Sequence, residues 1–183
     1  ALAQLEAAER PVIVAGGGVR ASGAAAELVT LAERLNIPVA TSLNGKDTIP
    51  GVHPLSVGVV GTYSRESANR VVNEADLVCF IGTTAGSMTT HFWQVPPSGT
   101  AALQIDLEPE VIGRNYPLKA AVQADAKVTL SCMLALVSTA SKKRRIAWIE
   151  RVGQLVGEWR CKFDALLESD AVPMRPERIC KEL

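Results

Sequence analysis

The chain has 183 residues, 48% of them hydrophobic, and its 19 basic and 19 acidic residues cancel in charge. This length suits one well-buried domain, and the balanced charge argues against binding to nucleic acid or an anionic membrane. The four cysteines are scattered without a C-x-x-C pair, and no apolar run is long enough to span a membrane. We therefore expect a soluble, cytoplasmic protein with reduced thiols and no zinc site.

Strand and helix patterns alternate along the chain. Short apolar runs predict strands buried on both faces, as in a parallel sheet. Between them, apolar residues three and four positions apart predict amphipathic helices. In chain order we predict a helix over 2–9, a strand over 12–16, a helix over 24–35, a strand over 37–42, a loop over 43–51, a helix over 61–75, a strand over 76–82, a loop over 83–100, a strand over 101–107, a short helix over 108–115, a strand over 119–124 and a helix over 125–137.

Repeated strand and helix units with apolar faces on both sides indicate an α/β fold. We predict a three-layer, Rossmann-like, doubly wound sheet of about six mostly parallel strands, formed by residues 1–138. Two helix ends carry residues with a clear physical role. Asn36 is expected to stop one helix, and Asp125 is the expected N-cap of another.

The sequence pattern changes after Ser138. The basic run 142–145 precedes a long amphipathic stripe that includes Ile146 and Trp159, which predicts a long helix. We expect its apolar face to lie across its own domain or a neighbour, with the basic run as its solvated start. The last residues begin another helical pattern that stops in mid-course, so we expect the native protein to continue beyond Leu183.

A glycine-rich turn follows the first predicted strand. Gly16, Gly18 and Ala21 fit the G-x-G-x-x-G/A spacing between a strand and a helix. The turn is either a cradle for a phosphate or a tight crossover with no ligand. The second strand ends in Thr41 and Ser42, where an NAD-binding fold usually has an acidic residue, so a free-standing NAD-binding oxidoreductase is the disfavoured alternative.

Further loops follow other predicted strands and are expected to meet at one crevice, because ligands lie beyond the carboxyl ends of parallel strands. Asp106 at the end of one strand has two interpretations, a ribose contact or a loop carboxylate. The sequence has no G-x-S-x-G elbow, H-E-x-x-H motif, P-loop lysine or paired-cysteine metal site. His53 and His91 are interpreted as loop histidines and Cys79 as a buried small hydrophobe, so no residue is assigned a catalytic role.

Three segments in order carry a resemblance to a known family: "RPVIVAGGGVRASGAAAELVTLAERLNIPVATSLNGKDTIPGVHPLSVGVVG", "ANRVVNEADLVCFIGT" and "LQIDLEPEVIGRNYPLKAAVQADA". Together they strongly resemble the middle domain of thiamine diphosphate-dependent enzymes of the acetolactate synthase and pyruvate oxidase type. The resemblance covers residues 2–137. It implies that residues 139–183 are a helical linker toward a missing C-terminal domain that binds the diphosphate.

The resemblance also implies what the parent enzyme does. Its thiamine diphosphate and Mg²⁺ would lie between other domains, which are not in this chain, and the enzyme would be a carboligase or 2-oxo acid decarboxylase that assembles as a homo-oligomer. The chain alone would not be catalytic. In this family the middle domain holds FAD in some enzymes, ADP in another and nothing in several decarboxylases.

Residues matching the family's nucleotide-site loops are the expected cofactor contacts. One departure is marked: FAD-binding members read G-A-R-F-D-D-R after the third strand, and here Thr84 and Met88 stand in place of the two arginines. Two cations for a pyrophosphate are therefore missing, which lowers the expectation of FAD. The matching residues are Gly16, Gly17, Gly18, Thr41, Ser42, Leu43, Gly58, Val59, Val60, Gly61, Thr62, Gly82, Thr83, Asp106 and Asp125.

Overall fold

A computed structural model describes residues 1–137 and 145–182. The domain boundary predicted at residue 138 and the basic residues 142–144 lie outside the described residues. The regular elements, in chain order, are α1 (Leu2–Ala7), β1 (Pro11–Ala15), α2 (Gly17–Ala21), α3 (Ala25–Leu35), β2 (Val39–Thr41), β3 (Ser56–Val59), α4 (Glu66–Glu74), β4 (Leu77–Ile81), β5 (Ala101–Asp106), a 3₁₀ turn (Pro109–Val111), β6 (Leu118–Gln123), α5 (Ala126–Leu136), α6 (Ile146–Leu167) and α7 (Pro176–Glu182).

The six strands form one sheet in the order β3-β2-β1-β4-β5-β6, and every neighbouring pair is parallel. This is the order of dinucleotide-binding folds, in which the chain direction across the sheet reverses between β1 and β4. Both of these central strands are buried at all five positions, as their continuously apolar sequences predict. The predicted Rossmann-like fold is confirmed.

Helices cover both faces of the sheet and complete three layers. On one face, Leu28 and Leu31 of α3 and Leu130 of α5 pack against the sheet. On the other face, Val71 of α4 and Val152 of α6 do the same. Alternate residues along the buried strands belong to the two clusters, because successive side chains of a strand point to opposite faces. The sheet therefore has two apolar cores, one on each side.

One strand is missing from the prediction. No strand is predicted between residues 43 and 60, whereas Ser56–Val59 forms β3 at the edge of the sheet. Its four residues are too few for a clear alternating pattern, and Gly58 has a φ of 96°, which is unusual in a strand. The following helix begins at Glu66 rather than at residue 61, and the stretch 83–100 contains turns and no helix.

The long helix α6 lies across its own domain, as one of the two interpretations predicted. Trp148 is buried and its Nε1 donates a hydrogen bond to the Pro11 carbonyl at 3.0 Å. Val152 and Leu155 are also buried, whereas Ile146, placed in the stripe by the sequence, is 58% exposed. Within residues 1–137 and 145–182, no helix combines the length and apolar character needed to cross a membrane.

Arg145, directly before α6, corrects the prediction of a solvated basic run. Its side chain is 1% exposed, and its guanidinium donates to the carbonyls of Leu5, Glu6, Ala8 and Leu35. These carbonyls lie at the carboxyl ends of α1 and α3, where backbone acceptors lack partners within the helix and a cation is favoured by the helix dipole. Arg145 therefore joins the start of α6 to two other helices.

Replacing Arg145 by Met is expected to lower the free energy of unfolding by about 2–4 kcal/mol, because several buried carbonyls lose their donor. The free energy of unfolding of the Arg145→Lys protein should lie between those of the Arg145→Met and native proteins, since one ammonium cannot reproduce the hydrogen bonds of the planar guanidinium. Urea denaturation measures the change, and Arg114→Met, at an exposed position, is the matched control. Equal stability of the Arg145→Met and Arg114→Met proteins would show that the buried contacts contribute nothing.

Candidate functional site: a neutral crevice at the strand ends

A crevice opens at the carboxyl edge of the sheet, where the turns after β1, β2, β3 and β4 meet. Its volume is about 410 Å³, within the range of small-molecule sites. It lies beside the point between β1 and β4 at which this strand order places a ligand. The lining residues are Gly17, Ser42, Leu43, Asn44, Val60, Tyr63, Gly82, Thr83, Thr84, Met88 and Thr89.

The lining of this crevice carries no formal charge. Among the residues that line it, none is Lys, Arg, Asp or Glu, and the polar groups are hydroxyls, one amide and backbone. Thr84 and Met88, which stand where the sequence resemblance implies two arginines, both belong to the lining. Neutral hydrogen bonds are about half as strong as charge-assisted ones. The crevice can therefore hold an uncharged polar group better than a pyrophosphate.

In the turn after β1, close packing of backbone on backbone requires two of the glycines. A Cβ at Gly16 would lie 2.2 Å from the Gly82 carbonyl oxygen, and one at Gly18 would lie 2.7 Å from the Gly82 Cα. Gly82 itself has a φ of 59°, a left-handed conformation that favours glycine. The turn after β1 thus packs directly on the turn after β4. This contact agrees with the interpretation of the glycine motif as a tight crossover.

The amide groups of this turn are partly used within the protein. The Gly16 N–H donates to the Ile81 carbonyl at 2.8 Å, and the Gly18 N–H donates to the Gly82 carbonyl at 2.9 Å. Gly17 is the first residue of α2, so its N–H has no acceptor within its own helix. Of the three glycines, Gly17 is also the one that lines the crevice.

The structure brings together six of the residues expected to contact a cofactor: Gly17, Ser42, Leu43, Val60, Gly82 and Thr83. Three others, Thr41, Gly58 and Val59, line a smaller adjacent cavity. Gly61 is not among the lining residues; its N–H donates to Asn69 Oδ1 at 2.8 Å and its carbonyl accepts from Asn69 Nδ2 at 3.0 Å. The N–H of the next residue, Thr62, donates to the Met88 carbonyl at 2.9 Å.

The two predicted aspartates lie outside the crevice lining and bond locally. Asp106 Oδ1 accepts from the Glu108 N–H at 3.1 Å, which is the loop-carboxylate interpretation. Asp125 Oδ1 accepts from the Val128 N–H at 3.1 Å, and this confirms its predicted role as the N-cap of α5.

Five lining residues are not among the contacts expected from the sequence: Asn44, Tyr63, Thr84, Met88 and Thr89. The last three belong to the loop after β4, which long-range hydrogen bonds hold in place. Gln104 Nε2 donates to the Thr83 carbonyl at 3.1 Å, and Asn115 Nδ2 donates to the Thr84 carbonyl at 2.8 Å. These bonds come from strand β5 and from the segment before β6, so no local sequence pattern signals them.

A larger cavity, of about 750 Å³, lies at the opposite, amino edge of the sheet. Its wall includes the ion pair of Glu74 with Arg151, whose hydrogen bonds of 2.7 and 2.8 Å hold the pKa of the Glu74 carboxyl below its usual value. It lies away from the strand ends where ligands bind in open parallel sheets. We therefore take the smaller crevice, and not this larger cavity, as the candidate site.

Other reactive side chains lie outside the crevice lining. Burial raises the pKa of the Cys79 thiol to about 12, as expected for an inert core residue. His53 accepts from the Leu55 N–H at 3.1 Å through Nδ1, and its Nε2 lies 3.2 Å from Glu33 Oε1. In the described part of the chain, no group of three or more His, Cys, Asp or Glu side chains could hold a metal ion.

Comparison with known proteins agrees with the sequence resemblance. A family model described as "Thiamine pyrophosphate enzyme, central domain" matches residues 1–133. The chain is 36% identical, over 96% of its length, to a protein named probable acetolactate synthase large subunit from Methanocaldococcus jannaschii. It is 34% identical over its full length to a protein of the same name from Methanococcus aeolicus. It is also 32% identical, over 87% of its length, to sulfoacetaldehyde acetyltransferase from Rhodobacter capsulatus.

The matched relatives are much longer than this chain. The alignments cover 29% of the Methanocaldococcus protein, 31% of the Methanococcus protein and 28% of the Rhodobacter protein. The chain therefore corresponds to less than a third of each relative.

The close contact between the two turns predicts how glycine replacements will act. Gly16→Ala should destabilise the fold by about 1–3 kcal/mol, because the added methyl group overlaps the Gly82 carbonyl. Gly153→Ala should stabilise it by about 0.5–1 kcal/mol, since a Cβ there meets nothing within 4 Å and alanine is the better helix former. Urea unfolding of both proteins tests the pair, and a Gly16→Ala protein as stable as the native chain would contradict the packing argument.

Proposed function

This chain belongs to the family of thiamine pyrophosphate enzyme central domains, and we propose that it is the structural domain of a longer, acetolactate synthase-like enzyme. In that role it positions the other domains and offers an adenine-nucleotide crevice between β1 and β4. The nucleotide assignment rests on the position of the crevice, beside β1 and β4, where the strand order reverses.

The proposed parent enzyme forms or cleaves carbon–carbon bonds of a 2-oxo acid or a related acyl compound. Thiamine diphosphate and Mg²⁺ would be bound by the other domains, and this chain alone would not catalyse the reaction. The names of the relatives and the small share of their length that is matched support this proposal. A cytoplasmic homo-oligomer is part of the same proposal.

FAD or ADP fits the crevice in part. The volume and the neutral polar lining suit a nucleoside, for which Ser42, Asn44 and Thr83 offer hydrogen-bonding groups in the lining. A pyrophosphate would find the Gly17 amide and hydroxyls there, but no cationic side chain in the lining. We therefore propose that an adenine nucleotide binds here without charge-assisted contacts, and hence weakly.

An empty crevice is the second candidate. Two observations favour it: the amides of Gly16 and Gly18 already donate to protein carbonyls, and neutral residues stand at the two arginine positions. Under this alternative the domain serves as a scaffold alone. A free-standing NAD-binding oxidoreductase is not proposed, because β2 ends without an acidic residue and the relatives named above are synthases and an acetyltransferase.

Restoring the missing cations separates the two candidates. We expect Thr84→Arg and Met88→Arg each to raise the affinity of the full-length protein for FAD or ADP by about tenfold, since each adds a charge-assisted contact. Calorimetric titration measures the affinities. Ser98→Arg adds the same charge to the same loop at an exposed position outside the crevice lining, and is the matched control.

The titrations also decide whether any nucleotide binds. Heat of binding with native protein and the expected gains in the two arginine variants support the nucleotide site. No response to millimolar FAD or ADP in the native protein and in the double variant would reject the site and leave the scaffold role.

A further inference from the structure

A small cavity lies next to the crevice, at the carboxyl ends of β2 and β3. Its volume is about 100 Å³, too small for a nucleotide but comparable to one tetrahedral oxyanion. The residues that line it are Thr41, Lys46, Asp47, Ile49, Gly51, Ser56, Gly58, Val59 and Arg65. Three expected cofactor contacts, Thr41, Gly58 and Val59, are among them, but none of the functions considered above uses Lys46 or Arg65.

Two largely buried hydroxyl residues belong to its wall. Thr41 is 4% exposed and Ser56 is 7% exposed. Within residues 1–137 and 145–182, neither side chain makes a hydrogen bond to another protein group, and neither hydroxyl oxygen is among the fully buried polar atoms that lack a partner. The two hydroxyls are therefore free to donate to a ligand in the cavity. A ligand that accepts hydrogen bonds would satisfy both groups.

Two cationic side chains line the same cavity. Across the described residues, no carboxylate oxygen lies within 4.0 Å of the charged nitrogens of Lys46 or Arg65. The Arg65 guanidinium carbon lies 4.7 Å from the centroid of the Trp159 ring. A guanidinium stacked on an aromatic face keeps its N–H groups available at its edge.

The balance of charge around the cavity is positive. Lys46 and Arg65 each contribute one positive charge and Asp47 one negative charge, which leaves one net positive charge in the lining. Burial, together with the nearby Arg160 charge, lowers the pKa of Arg65. The protonated guanidinium would therefore gain from an anion placed beside it.

We propose that this cavity is an oxyanion site that binds a phosphate group. The Thr41 and Ser56 hydroxyls would donate to its oxygens, and Lys46 and Arg65 would balance its charge. In sheets with this strand order, the end of the second strand lies beside the ribose of a bound adenine nucleotide, where an arginine accepts a 2′-phosphate. The phosphate would be either free phosphate or such a ribose phosphate. The site does not depend on a nucleotide in the crevice.

Titration of the full-length protein with inorganic phosphate tests the site. Three variants, each of which removes one charge, are compared with the native protein. Lys46→Gln should weaken phosphate binding about tenfold, because a charge-assisted contact is lost. Asp47→Asn should strengthen it, because a like charge is removed from the wall. Asparagine also tolerates the φ of 72° at this position. Lys119→Gln removes an exposed charge on β6, at the far edge of the sheet, and should change nothing.

A second titration identifies the source of the phosphate. Adenosine 2′,5′-bisphosphate that binds more tightly than both AMP and inorganic phosphate indicates a ribose phosphate, and equal binding of all three indicates the free anion. Either result, with the expected order of the variants, supports the site. The proposal is overturned if millimolar phosphate gives no saturable heat, or if Lys46→Gln and Lys119→Gln have the same effect. Neither of these failures bears on FAD or ADP in the crevice.

Discussion

The turns after β1 and β4 approach so closely that neither can carry a side chain at the point of contact. Gly16 and Gly18 lie against the backbone of Gly82, which in turn adopts a conformation that favours glycine. This contact fixes the two central strand ends between which the crevice opens. It also uses the Gly16 and Gly18 amides in protein hydrogen bonds. The same constraint that builds the crevice therefore limits how firmly its first turn can hold a phosphate.

Charge is distributed unevenly along the carboxyl edge of the sheet. The crevice beside β1 and β4 is lined by neutral residues, whereas the small cavity at β2 and β3 has Lys46 and Arg65 in its wall. A phosphate is stabilised by cations and oriented hydroxyl donors more than by neutral backbone alone. The edge of this sheet thus has a neutral crevice and a cationic cavity side by side.

The long C-terminal helix is held to the domain by polar as well as apolar contacts. Arg145 bonds to carbonyls at the ends of α1 and α3, and the Trp148 indole bonds to the carbonyl of Pro11. Val152 and Leu155 then bury the first half of the helix against the sheet. Because polar bonds have directions and apolar contacts do not, these two side chains fix where α6 starts on the domain.

The sequence by itself determined the parallel α/β fold, since uniformly apolar strands and amphipathic helices leave few other ways to bury both faces of a sheet. It also determined the N-cap at Asp125 and the family resemblance. Only the tertiary structure decided that β3 is an edge strand, that Arg145 is buried, and that Gly16 and Gly18 pack on Gly82. These features depend on contacts between residues that are distant along the chain, and such contacts cannot be predicted from a local pattern of residues.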